Sequence, residues 1–117
     1  MTIEQPSSPE FSEQESRLIT LFREKGPKDF EARAMFDAWV LEEEARVTAE
    51  NTSRADVARQ LKMAKFYRAA GGLDSAYTAL DHLCQAAWMD ESARDLYEEA
   101  VALARIVEAE TDARETS

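Results

Sequence analysis

Residues 64–83 read AKFYRAAGGLDSAYTALDHL, and the order of small and large side chains around the paired glycines decides the fold. Residues that lose little freedom in a helix run up to Ala70. Gly71-Gly72 then stops them, because glycine accepts the left-handed backbone that closes a helix. Asp74 lies at the start of a second run, in which Ala76, Leu80, Leu83 and Ala87 recur every three or four residues and so share one helical face. Ala64 is small enough to let two antiparallel helices approach. Tyr67 fills the space beside it, Gly71 makes the turn, and Ala76 admits the returning backbone. The stretch therefore predicts a helical hairpin.

The same punctuation extends outward. Downstream, Asp90-Glu91 starts a further helix with a stripe of Ala93, Leu96, Tyr97, Ala100, Leu103 and Val107, and Thr111 to Ser117 is expected to fray. Upstream, Ser53 with Asp56 reads as a capping box for the helix that ends at Ala70. A long helix from Asp29 to about Glu50, closed by Asn51, is expected to gather Phe30, Ala34, Ala38, Trp39 and Ala45 on one side. Glu42, Glu43 and Glu44 read as its solvated face. The first helix opens with a capping box at Ser12 and Glu15, carries Leu18, Ile19, Leu21 and Phe22, and stops at Gly26-Pro27. Residues 1–11 are expected to be a flexible tail, 12–110 a single all-helical domain, and 111–117 a frayed end.

Composition agrees with an all-α chain of about five helices. Glycine and proline number three each in 117 residues, and no window shows the alternation of a strand. With 24 acidic against 14 basic residues and a net charge of -10, the summed field repels nucleic-acid phosphates and anionic lipid. No nucleic-acid or membrane partner is expected. Charge is unevenly spread: Arg54, Arg59, Lys62, Lys65 and Arg68 face only Asp56 within residues 54–68. One cysteine, Cys84, excludes an internal disulfide, and neither a signal-like start nor a run of roughly 18 apolar residues occurs. A cytoplasmic protein is expected.

The spacing Ala64, Tyr67, Gly71, Ala76, Leu80 and Leu83 resembles the tetratricopeptide repeat, and covers about a third of the chain. Gln60 stands where that pattern commonly has a large aromatic residue, Leu83 where it prefers a small one, and Trp88 where proline follows. Phe22, Gly26, Ala32, Phe36 and Trp39 echo the order upstream with one extra residue after the glycine. The resemblance implies that the third helix lines a concave binding face, with the fifth as a capping element. It puts Leu61, Lys65, Arg68 and Ala69 near a groove, where the two cations would meet carboxylates of a partner. Tyr67 and Leu61 would supply apolar contact.

No catalytic pattern appears. His82 and Cys84 stand two apart, so on a helix they point away from each other and share neither a metal nor a proton. One histidine cannot furnish a di-metal carboxylate bundle, and the phosphate-loop, dinucleotide and zinc-protease motifs are missing. Asp95 with Glu99 reads as solvated surface. No cofactor, metal or catalytic residue is expected. Trp39 reads as core, and Trp88 as a staple of the turn into the fifth helix or, where exposed, an interface anchor.

The function expected from the sequence is a non-enzymatic adaptor or small chaperone that holds a partner helix or peptide beside the third helix. Two alternatives stand beside it. One is a homodimer formed through the long second helix, and the other an acidic regulator that mimics nucleic acid. A competing use of the basic stripe is pairing with the chain's own acidic fifth helix through Glu98, Glu99 or Glu108.

Overall fold

A computed structural model of the chain describes residues 11–116. Most of the expected N-terminal tail, residues 1–10, lies outside the described residues, as does Ser117. Five α-helices follow in order, α1 Glu13–Lys25, α2 Phe30–Glu50, α3 Ser53–Ala69, α4 Leu73–Ala87 and α5 Arg94–Thr116, with one 3-10 turn at Glu91–Ala93. The fold is all-α, and no strand occurs among the described residues. Two compact units divide the chain, one ending at Leu41 and the other beginning at Glu42.

In the first unit the Ser12 hydroxyl accepts from the Glu15 amide at 3.1 Å while the Glu15 carboxylate accepts from the Ser12 amide at 3.0 Å. The capping box read from the sequence therefore starts α1. Gly26, at φ +89°, ends it, and the Asp29 carboxylate accepts from the Ala32 amide at 3.1 Å to open α2. The two helices run antiparallel around Leu18, Phe22, Ala32, Phe36 and Trp39, all buried. Phe22 meets Phe36 edge-on at 5.6 Å, a geometry that aromatic rings favour.

The buried face of α2 is not the one expected. Phe30 is 87% exposed, and Ala34, Ala38 and Ala45 are exposed as well. At roughly 100° per residue, α2 carries two apolar stripes on opposite sides. The one that buries Phe36 and Trp39 removes more apolar area from water than the one of Phe30, Leu41 and alanines, which decides the rotation of the helix.

In the second unit, α3 and α4 form the antiparallel hairpin. Gly71 sits at φ +91°, its amide donates to the Arg68 carbonyl at 3.1 Å, and the Gly72 amide donates to the Tyr67 carbonyl at 2.8 Å. That pair of bonds is the Schellman closure of a helix. The cap of α3 is Thr52 rather than Ser53: its hydroxyl accepts from the Ala55 amide at 3.0 Å, whereas the Ser53 hydroxyl stands 3.5 Å from that of Ser92. Ala64, Ala76, Leu80 and Leu83 are buried in one cluster with Ala93, Ala100, Leu103 and Val107 of the C-terminal segment.

The helix α5 includes most of the segment expected to fray and runs through Thr116. The Thr111 hydroxyl donates to the Val107 carbonyl at 2.9 Å and the Arg114 guanidinium to the Gly71 carbonyl at 3.4 Å. The first bond lies within α5, and the second ties its last turn to the α3–α4 turn. It runs parallel to α3, since Arg54 meets Asp95 near their starts and Arg68 meets Glu110 near their ends.

Candidate protein-interaction surface

Each cation of the basic stripe has an acidic partner within the chain. Arg54 donates to both carboxylate oxygens of Asp95, at 2.6 and 2.9 Å, and to the Ser92 carbonyl at 2.9 Å. Arg68 grips Glu110 through Nε at 2.9 Å and Nη2 at 2.6 Å. Lys65 pairs with Glu99, Lys62 with Glu43 at 3.2 Å, and Arg59 with Asp56 at 3.4 Å. Two-pronged guanidinium–carboxylate pairs are the stronger kind of ion pair, because both parallel hydrogen bonds are charge-assisted.

The titration of these groups follows the geometry. Hydrogen bonds from Arg54 hold the Asp95 carboxyl down to about 2, against the ordinary carboxylate range. Those from Arg68 lower Glu110. Glu43, expected in a solvated run, is 8% exposed and accepts from Arg46 at 2.9 Å as well as from Lys62. Its hydrogen bond to Arg46 raises that guanidinium.

The residues expected to line a groove fall as follows. Leu61 is 3% exposed and belongs to the core cluster with Ala64 and Leu80. Tyr67 and Ala69 are half-buried, and Tyr67 lies edge-on to Phe66 at 6.1 Å. Lys65 and Arg68 are turned to α5, so this side of α3 is bridged by the chain's own C-terminal helix. Glu99 is one of the partners expected for that arrangement, whereas Glu98 and Glu108 give way to Asp95 and Glu110. Which acids are chosen depends on the rotation and axial offset of α5, which a linear sequence does not contain.

His82 is exposed, and burial, with the charge of Asp81 adding to it, pushes the Cys84 thiol up, away from thiolate chemistry. Among the described residues no group of three His, Cys, Asp or Glu side chains is placed to hold a metal ion, and no helix is long and apolar enough to cross a membrane. A shallow hollow of about 510 Å³ between α4 and α5 is lined by Asp74, Tyr77, Thr78, Glu108, Thr111 and Asp112. The Tyr77 hydroxyl there donates to Glu108 at 3.4 Å, and the Glu108 charge raises the phenol.

What remains open is apolar surface. On α2, Phe30 and Leu41, the latter 66% exposed, bracket Ala34 and Ala38, with Met35 at one edge. At the corner between α4 and α5, Trp88 is 58% exposed beside Met89, so the indole does not staple the turn. The α2 face was legible in the sequence only as apolar periodicity. Periodicity alone does not say which of two such faces meets a core. No family model, curated protein or solved structure matches the chain.

Proposed function

We propose that this chain is a non-enzymatic helical adaptor, working in the cytoplasm, that acts by holding another polypeptide against the outward face of α2. The observation that carries the proposal is a helix apolar on both sides, one side filled by Leu18, Phe22 and their neighbours, the other presenting Phe30 and Leu41 to water. Leaving large apolar groups exposed at the two ends of one stripe costs solubility and gains nothing within the chain. A second chain covering them recovers that free energy at roughly 25 cal/mol per Å² buried.

The tetratricopeptide-like reading fits the same role. In its support, Ala64, Ala76, Leu80 and Leu83 are all buried in the α3–α4 hairpin, and α5 lies parallel to α3, as the first helix of a following repeat would. Phe22, Ala32, Phe36 and Trp39 of the upstream echo are buried too. A partner beside α3 would have to take Lys65 and Arg68 from Glu99 and Glu110, so the contact is better assigned to α2. Affinity capture comparing the wild type with Leu41→Glu tests this: the variant keeps its helix content and loses captured polypeptides. Identical capture by both proteins would remove the basis for the reading.

A further inference from the structure

We infer that the outward face of α2 between Phe30 and Leu41 pairs antiparallel with the same face of a second copy of this chain. The inference rests on the reading of α2 as a contact face and names its occupant. Residues 30, 34, 38 and 41 fall within roughly 80° of one another around the helix, forming a stripe about three turns long. Its bulk is symmetric end to end, with Phe30 at one end, Leu41 at the other, and alanines at 34 and 38 between them.

A two-fold axis passing near residue 36 therefore sets Phe30 of one copy against Leu41 of the other, twice, and Ala34 against Ala38 of the other copy. The small side chains at the middle permit close approach of the two axes, at the short end of the ~8–10 Å usual for packed helices. The face is self-complementary, which a two-fold interface requires.

Charge supports the same register. Arg33 and Asp37 lie together along one edge of the stripe, 3.9 Å apart at their charged ends and exposed. In an antiparallel pair, equivalent edges meet. The axis that matches Phe30 to Leu41 also brings Arg33 of each copy opposite Asp37 of the other, so opposite charges meet twice. A parallel pair would instead place the apolar bulk of Phe30 against itself and Leu41 against itself, with the alanines leaving a gap between. On the other edge exposed Glu42 of one copy comes opposite Glu31 of the other, and Lys25, 3.3 Å from Glu31, stands between these like charges and offsets them.

A stripe of three turns covers less than the ~1,200–2,000 Å² of a standard interface, so the dimer forms and dissociates with concentration. Sedimentation equilibrium of the full chain from roughly 10 µM to 1 mM, a span that brackets micromolar-to-millimolar association, reads it directly. The average mass is expected to rise above the monomer's 13.2 kDa. Leu41→Glu should weaken association roughly tenfold or more, since burial of a leucine is worth ~1.5–3 kcal/mol and 1.4 kcal/mol is tenfold.

Asp37→Arg and Arg33→Asp should each weaken the dimer a few-fold, with the double exchange Arg33→Asp/Asp37→Arg restoring it. Circular dichroism confirms that each variant keeps its helices. A mass fixed at the monomer value across the range overturns the pairing, and so does failure of the double exchange to restore a dimer that both single variants weaken. Neither result removes the broader adaptor reading, whose failure appears separately as identical capture by wild type and Leu41→Glu.

Discussion

Trp39 holds a carboxyl group inside the first unit. It is 2% exposed, and its indole donates at 2.9 Å to a Glu15 carboxylate that is itself 4% exposed. The other oxygen of that carboxylate caps α1. A buried carboxylate is tolerated only where hydrogen bonds replace its water. Trp39→Phe keeps a ring but deletes the donor, and should cost about 2 kcal/mol, the scale of leaving a buried acceptor without its partner, read as a lower urea midpoint by circular dichroism. At Asp95 the prediction concerns pH. Its folded value of about 2 lies below the ~3.9 of an unfolded aspartate. The Arg54 pair therefore contributes stability that is fully present above pH ~4 and is lost as pH falls through about 2. Wild type should be more stable than Asp95→Asn at neutral pH, with the difference closing over that acid window. A difference that stays constant down to pH 2 would contradict the assignment.

The five helices and most of their ends could be read from local chemistry, because caps and stops act within a turn: Ser12 with Glu15, Asp29, Gly26 and Gly71 all do what their types dictate. The misreadings share one cause, that a helix presents its sides to neighbours the sequence does not locate. Ser53 and Thr52 both have a hydroxyl suited to a cap, and the chain uses Thr52 while Ser53 stands beside Ser92. Two stripes compete on α2, and the aromatic one is buried. The cations of α3 read as an open stripe in the sequence, and in the structure α5 lies parallel to them with Glu99 and Glu110 paired to Lys65 and Arg68. Across that seam, Lys65→Glu/Arg68→Glu should lower stability by about 1 kcal/mol, since exposed pairs are worth only ~0–1 kcal/mol each, and the loss should shrink at high salt. Urea titrations at two salt concentrations measure it. Captured partners should be unchanged in this variant. Loss of partners with stability intact would return the binding role to α3.

For the molecule as a whole, charge and apolar surface divide the work. The basic residues of α3 are neutralised by the chain's own carboxylates, so the net charge of -10 is presented outward and discourages anionic partners. Recognition is left to apolar side chains, chiefly those of α2, rimmed by Arg33 and Asp37. That division of work requires the outward face of α2 to be a contact surface. It is tested most directly by replacing Leu41 with a photo-crosslinking amino acid in the full chain, with the same replacement at exposed Glu98 of α5 as the control. On irradiation, position 41 should yield a covalent adduct with a second polypeptide and position 98 should not. Equal yields, or no adduct from position 41, would contradict the account.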